Sequence, residues 1–220
     1  MSNVSKLQKR EPDGTKSRIL TAAAKHFGAY GFEGASLRNI LADAETNVAA
    51  ANYHFGSKAG LYRAVIVEYF NRTRAHRLGL FDEAELSPPG LPRLYALTRA
   101  FMRPHFELVI GEGEHSYGRL LIKLLAETPS ADLQEVVDGI RPSQTRYLEG
   151  LRACQPHASD ELLATGVGLV IAALVHAPFN PSLYMFTGRP SCDQDLESLL
   201  DSTVSFAVGG LSNLLGIHTD

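Results

Sequence analysis

Hydrophobic residues in the first part of the chain recur at helical spacing between short polar or glycine-containing links. Ile19, Ala23 and Phe27 fall at i, i+4 and i+8, which predicts a first helix over about residues 15–30. Gly31 follows at the position where glycine most often ends a helix. This helix can support the two shorter ones that come next.

Two short helices are predicted over residues 36–44 and 47–53. Ser36 is a favourable N-cap and is followed by an apolar stripe that ends at Ala44. Asn47 can cap the second of the two in the same way. Helices this short cannot bury their own faces, so they must pack on the helix upstream. Helix, turn and helix on a helical support is the layout that places one helix in the DNA major groove.

A long fourth helix is predicted over residues 58–77. Ser57 can cap it, and Leu61, Val65 and Tyr69 mark its apolar face at four-residue spacing. This helix joins the N-terminal segment to the rest of the chain.

The remaining sequence favours five more helices, separated by breaks that contain proline or glycine. They are predicted at about residues 91–110, 119–127, 130–154, 160–177 and 193–215. Pro104 and Pro142 are expected to kink or divide two of them, and a loop around Tyr184 is expected before the last. No stretch alternates for long enough to predict a strand, so the expected fold is all-α with about nine helices.

Charge is divided unevenly along the chain. Residues 1–77 contain 12 Lys and Arg against 6 Asp and Glu, whereas residues 78–220 contain 9 against 18. The overall net charge of −3 therefore averages a basic segment of +6 and an acidic segment of −9. A basic module joined to an acidic body indicates contact with nucleic acid at the N-terminal end.

The segment from Ser36 to Tyr62, together with the helices around it, resembles the TetR family of transcriptional regulators. The sequence NYHFGSK at residues 52–58, followed by Leu61 and Tyr62, carries most of the likeness. This form resembles members that sense fatty acids or respond to envelope stress or drugs. The resemblance implies an N-terminal helix-turn-helix DNA-binding domain and a C-terminal helical domain for ligand binding and dimerisation.

The family's DNA contacts can be carried onto matching positions of this chain. Val48, Ala49 and Ala50 would face base edges, where small apolar groups contact thymine methyls. Asn52 would read a base through its amide. The remaining contacts implied by the resemblance lie on the sugar-phosphate backbone or beside it: Ser36, Arg38, Asn47, Tyr53, His54 and Lys58.

One position departs from the family's pattern. Members of the family usually have glycine in the turn between the second and third helices, where this chain has Glu45. A positive φ at a non-glycine residue costs about 1 kcal/mol. Glu45 also places a carboxylate near the DNA.

Other kinds of function find little support in the sequence. A Glu-x-x-His pair at Glu112 and His115 lies in a glycine-rich segment, and no catalytic motif, metal site or cofactor site is expected. Cys154 and Cys192 do not have metal-ligand spacing. The apolar run at residues 167–175 is far shorter than a membrane span, and residues 1–14 suit a flexible basic leader rather than a signal peptide. A cytoplasmic location without membrane contact is expected.

The C-terminal body is expected to hold a small apolar or amphipathic organic effector between the fourth and eighth helices. The residues predicted to line its pocket surround the Pro104 kink or carry polar tips: Phe101, Met102, His105, Tyr117, Tyr147 and His176. The last two helices are apolar on more than one face, which predicts a homodimer interface. Its predicted residues are Ile171, Leu174, Leu200, Val204, Val208 and Leu211.

The expected organisation is a leader (residues 1–14), a DNA-binding domain (15–57) and a ligand-binding and dimerisation domain (58–220). The function predicted from it is a repressor that a small molecule releases from a pseudo-palindromic double-stranded operator. The alternatives are a helical small-molecule-binding protein or an all-α enzyme, in either case without DNA recognition. A steep loss of DNA affinity with added salt would distinguish the repressor from both alternatives.

Overall fold

The computed structural model describes residues 14–111, 115–126, 134–190 and 193–217, and every regular element in these ranges is helical. The expected leader lies outside them except for Gly14, which already belongs to the first helix. Glu112 and Cys192 also lie outside the described residues. The prediction of an all-α fold is confirmed.

Ten α-helices occupy the described ranges. They are α1 (Gly14–Gly34), α2 (Leu37–Asp43), α3 (Val48–Phe55), α4 (Lys58–Ala84), α5 (Leu91–Phe106), α6 (His115–Ala126), α7 (Gln134–Cys154), α8 (Asp160–His176), α9 (Pro181–Thr187) and α10 (Leu196–Leu215). A π-helical turn, Glu107–Gly111, follows α5, and a 3-10 turn, Ala177–Phe179, follows α8.

Local sequence signals account for most helix starts. Ser36, Asn47, Ser57 and Ser159 each accept a hydrogen bond from the backbone amide three residues later, at 3.0 to 3.5 Å. Each side chain thereby satisfies an amide that has no partner inside its helix. Gly31 has φ 72 and ψ 179, so it interrupts α1 where glycine was expected to end it.

Two helices differ from the sequence prediction. The fourth helix continues to Ala84 rather than ending at Arg77, because Arg77, Phe81 and Ala84 extend its buried face. The segment around Tyr184, expected to be a loop, forms the short helix α9, which has a proline at its first position and Asn180 as its N-cap. The predicted ninth helix therefore corresponds to α10.

Pro104 lies inside α5 without dividing it. The helix ends two residues later and widens into the π-helical turn. Pro142 likewise lies inside α7, which is continuous from Gln134 to Cys154. Neither proline splits its helix in two.

The N-terminal helices are fixed to the body through α1, which packs on both α4 and α6. An aromatic cluster fills the α1–α4 contact, where the ring centroids of Phe27 and Tyr62 lie 4.9 Å apart and Phe32 packs beside both. On the other side, α1 approaches α6 at Gly28. A Cβ atom added there would lie 2.6 Å from the carbonyl oxygen of Ser116, so only glycine allows this approach. Through α4 and α6, α1 thus packs directly on the C-terminal body.

Candidate nucleic-acid interface and effector cavity

The turn between α2 and α3 is a Schellman-type helix end with glutamate where glycine is usual. The amide of Glu45 donates to the carbonyl of Ala42, and the amide of Thr46 donates to that of Leu41. This bonding pattern requires a left-handed residue after the helix cap. Glu45 has φ 50, so it adopts the left-handed conformation for which glycine is usual at this position. The backbone of the turn is kept, and the chain carries a strained residue there.

One face of α3 is free of the body and available to a ligand. Val48, Ala49, Asn52 and Tyr53 are exposed, and Tyr53 retains 84% of its accessible surface. These positions follow helical spacing, so they share one face. Ala51 on the opposite face is buried. A helix with one apolar side on the support and one open side can enter a groove.

The remaining predicted DNA-contact residues of this segment differ in how exposed they are. Ala50 and His54 are half-buried at the edges of the open face. Asn47 is exposed, but its carboxamide oxygen already caps α3, which leaves its NH₂ group for a ligand. The structure therefore places these three around the open face rather than at its centre.

Arg38 and Ser36 are exposed at the N-terminal end of α2, where amides and a cation can meet a phosphate. Lys58 is half-buried instead. Its ammonium group donates to the carbonyl of Glu33 at 3.2 Å and lies 4.8 Å from the centroid of the Phe32 ring. Because an ammonium group has three donors, Lys58 can keep these contacts and still donate to a phosphate.

Polar contacts hold α2 on α1. The side chain of His26 hydrogen-bonds the Asp43 carboxylate at 2.9 Å, and Lys25 lies 3.6 Å from the same carboxylate. The hydrogen bond from His26 contributes most to lowering the pKa of Asp43. Arg18 donates to the carbonyl of Ala44 at 3.2 Å. These contacts orient the helix-turn-helix unit on its support.

A cavity of about 60 Å³ lies in the body between α4, α5, α6, α7 and α8. Its apolar wall comes mainly from α6 and α8 through Leu121, Leu124, Ile171, Leu174 and Val175. Its polar lining comes from α4 and α7: Tyr69, Arg74, Arg77, Ser143 and Gln144. Ligand pockets typically measure roughly 300–1,000 Å³, so a drug-sized molecule requires the surrounding helices to separate.

The predicted effector residues are only partly brought together here. Phe101 lines the cavity, and Tyr147 stacks on it with ring centroids 4.5 Å apart. Met102, His105 and Tyr117 are buried but do not line the cavity. His176 is exposed and lines a separate surface groove beside Phe206.

A buried hydrogen-bonded pair, Tyr69 and His105, lies next to the cavity. The Tyr69 hydroxyl and His105 Nδ1 are 2.6 Å apart. Burial raises the pKa of Tyr69 to about 12, and the neighbouring Arg77 opposes this rise. Burial, aided by repulsion from Arg77, lowers the pKa of His105 to about 3. Both side chains are therefore neutral at physiological pH.

Most of the predicted dimer residues are already buried within the single chain. Leu200, Val204, Val208 and Leu211 belong to its core, and Ile171 and Leu174 line the cavity. Apolar periodicity marks a buried face without saying which neighbour covers it. The five buried residues leave little contact area for a second copy, and Ile171 is half-buried beside the cavity.

A different face of α8 and α10 stays exposed. On α8 it includes Leu169 and small residues around it, and on α10 it includes Phe206, which retains 80% of its accessible surface. The small residues sharing this face are Ala164, Gly168, Ala172, Gly209 and Gly210. The helical segment Asp160–Phe179 is long and apolar enough to cross a membrane by length and composition alone, and 39% of its apolar stretch is buried inside the protein. A helix of a globular protein that is apolar on both a buried face and an exposed face has the same composition.

A chain of ion pairs connects α4 to α10 across α5. It begins where the Nδ1 atom of His76 lies 3.0 Å from a Glu107 carboxylate oxygen and continues through Arg103, which contacts Glu107 and Glu197 at 2.7 Å each. Arg99 extends the chain from Glu197 to Asp201. Within the described ranges, no group of three or more His, Cys, Asp or Glu side chains could hold a metal ion.

Two family models match this sequence. The one described as "Bacterial regulatory proteins, tetR family" matches residues 19–65, and "Tetracyclin repressor-like, C-terminal domain" matches residues 99–210. The first covers α2, α3 and most of α1, and the second covers the body from α5 to α10.

Individual proteins show the same likeness over most of the chain. The HTH-type transcriptional dual regulator CecR of Shigella flexneri is 25% identical over an alignment of 213 residues, and the match covers 86% of this chain and 87% of that protein. The crystal structure of HlyIIR, a hemolysin II transcriptional regulator, has a TM-score of 0.60 at 23% identity and covers 87% of this chain and 96% of its own. AibR, solved in complex with isovaleryl coenzyme A and operator DNA, has a TM-score of 0.62 at 15% identity, with coverage of 87% and 97%. The two structures establish likeness of fold.

Proposed function

The chain belongs to the TetR family of transcriptional regulators, and from this premise we propose that it is a cytoplasmic repressor released from its operator by a small amphipathic molecule. Regulators of this family bind operator DNA and small-molecule effectors and act as dimers. AibR was crystallised with both isovaleryl coenzyme A and operator DNA. The likeness to fatty-acid-sensing or drug-responsive members stays a prediction.

One observation carries the proposal: the helices that wall the cavity also support the DNA-binding unit. Both α4 and α6 line the cavity, and both pack on α1. Because the cavity is small, an effector must displace at least one of its walls. A displaced α4 or α6 moves α1 and, with it, the open face of α3. The effector then favours a geometry with the wrong spacing between half-sites.

The thermodynamic condition for release is differential affinity. An effector shifts the equilibrium only by as much as it prefers the state that does not bind DNA. In the DNA-binding state, two recognition helices must lie about 34 Å apart to enter successive major grooves. We expect α3 to supply these helices, with Asn52 and the small residues reading bases and Arg38 bound to a phosphate.

The homodimer would form through the exposed face of α8 and α10 rather than through the six residues predicted from the sequence. Small residues at Gly168, Ala172 and Gly209 allow close approach of symmetry-related helices, and Leu169 and Phe206 supply apolar area. Two helices from each copy would form a four-helix interface.

The experiment that tests DNA recognition compares three variants on a duplex that the wild-type protein selects from a random-sequence pool. Asn52→Ala should cost about 1–3 kcal/mol on the selected duplex and relax specificity at one position. Arg38→Ala should weaken binding to all sequences alike and lower the slope of log affinity against log salt by about 1. Asn71→Ala, at an exposed asparagine on the body part of α4, is the matched control and should change neither.

A wild-type protein that enriches no sequence, and whose affinity for duplex DNA is insensitive to salt, would contradict the proposal. The helical small-molecule-binding protein without DNA recognition would then be the better reading. An operator affinity that stays constant while the cavity is occupied would contradict the release mechanism alone.

A further inference from the structure

The cavity contains a buried cation. Arg77 on α4 lines it and retains only 5% of its accessible surface. Its Nε atom donates to the carbonyl oxygen of Phe101 at 3.0 Å, and its guanidinium carbon lies 5.4 Å from the centroid of the Phe101 ring. These contacts hold the Nε side of the guanidinium group, and the neutral Tyr69 hydroxyl is a further hydrogen-bond partner of the side chain at the cavity.

No carboxylate of the described residues lies within ion-pair distance of Arg77. Its charged and titratable surroundings are Tyr69 and His105, and both are neutral at physiological pH. Arginine is rarely fully buried without an opposite charge, because removing the guanidinium group from water is costly. Glu107 of the π-helical turn and Glu197 of α10 pair with Arg103 instead.

We infer that the effector is an organic carboxylate whose anionic group binds Arg77 and whose apolar body lies against the side chains of α6 and α8. This inference rests on the proposed function and specifies the chemistry of its ligand. The planar guanidinium group presents two parallel donors that match a carboxylate, and the low polarity around it strengthens the pair. The apolar wall formed by Leu121, Leu124 and Leu174 accepts hydrocarbon.

Arg74 occupies a different position on the same helix. It also lines the cavity but is exposed at the surface. Water screens a charge there, so Arg74 attracts an anion without holding it strongly. The two arginines therefore give a matched pair of substitutions: the same residue type and the same cavity, one buried and one exposed.

The test measures binding to the full chain in the absence of DNA. The probes are straight-chain carboxylates of six to twelve carbons and the 1-alkanols of equal length, together with benzoate, phenylacetate and 4-phenylbutanoate and the corresponding aryl alcohols. Thermal shift finds the best length, and titration calorimetry gives affinities. We expect the best carboxylate to bind the wild-type protein at least about tenfold more tightly than its alcohol.

Arg77→Met should abolish this preference, while Arg74→Met should keep most of it. Circular dichroism checks that each variant is folded. Arg77→Lys serves as a second variant that keeps the charge without the planar fork, and it should retain a reduced preference for the carboxylate. If Arg77→Met does not fold, Arg77→Lys and the wild-type comparison still decide the question.

The inference is overturned if alcohols bind the wild-type protein as tightly as carboxylates, if no carboxylate of either series binds, or if Arg77→Met keeps the wild-type preference. Operator binding is measured separately. Carboxylates that bind through Arg77 without releasing the operator would support the inference and contradict the proposed function. Release of the operator by neutral ligands alone would support the proposed function and contradict the inference.

Discussion

The close approach of α1 to α6 at Gly28 can be tested by adding a single methyl group. In Gly28→Ala, the new Cβ atom would lie 2.6 Å from the Ser116 carbonyl oxygen, whereas ordinary contacts begin near 3.4 Å. Backbone oxygen cannot rotate away as a side chain can, so the two helices must separate. The matched control is Gly79→Ala, on the exposed side of α4, where nothing lies within 4 Å of an added Cβ.

The magnitude follows from two opposing effects. Replacing glycine by alanine inside a helix stabilises it by about 1 kcal/mol, and this gain applies to both variants. Overpacking at a tight contact costs about 1–3 kcal/mol and applies only to Gly28→Ala. We therefore expect Gly79→Ala to gain about 1 kcal/mol, and Gly28→Ala to lie about 1–3 kcal/mol below it. Changes in the unfolded state cancel in this comparison, because the substitution is the same.

Urea unfolding gives the free energies, and fluorescence anisotropy with the selected duplex gives operator affinity. Because the separation displaces α1 and the recognition helix, Gly28→Ala should also weaken operator binding, by roughly five- to tenfold, the lower end of typical couplings between sites. Gly79→Ala should bind as the wild type does. Equal stability and equal operator affinity in the two alanine variants would refute the idea that this contact joins the body to the DNA-binding unit.

Three further predictions address the turn, the buried histidine and the dimer. Glu45→Gly should raise the free energy of unfolding by up to ~1 kcal/mol by removing the positive-φ penalty, whereas Glu45→Gln should leave it unchanged; lower stability of the glycine variant in urea would contradict this. Because burial lowers the pKa of His105 to about 3 from 6.5, the unfolded chain takes up a proton between these values that the folded chain does not. The titration of His105 should therefore cost the wild type about 1.4 kcal/mol of stability per pH unit as the pH falls through this window. His105→Gln should lose less stability than the wild type between pH 7.5 and 5.5. Equal losses in urea unfolding of the two proteins would contradict this effect of His105. Leu169→Ser with Phe206→Ser should shift the light-scattering mass from twice the 23.9 kDa monomer mass towards the monomer, and an unchanged mass would place the interface elsewhere.

Features fixed by a few neighbouring residues could be predicted from the sequence. The four N-caps depend on a side chain and an amide three positions away, and the positive φ at Glu45 depends on one helix end. The support of the DNA-binding unit was also predictable, since Phe27 and Ile40 recur on apolar stripes and both are fully buried.

The effector cavity was less predictable, because its lining depends on how distant helices pack. From the sequence, the fourth helix is predicted to end at about Arg77. Its position four residues before Phe81 and eight after Tyr69 was the signal that it continues the buried face. The prediction that Ile171 and Leu174 belong to a dimer interface rests on hydropathy: α8 is apolar on two sides, and hydropathy does not distinguish an internal neighbour from a second copy.

The small volume of the cavity also has a consequence for the speed of the response. An effector enters only after the helices around the cavity have separated, so the rate of entry is governed by the protein's own opening motion rather than by diffusion. Different effectors would then begin to act at similar rates when present at equal concentration. They would differ mainly in how long they stay, and the duration of derepression after the effector disappears would record the strength of the contacts in the cavity.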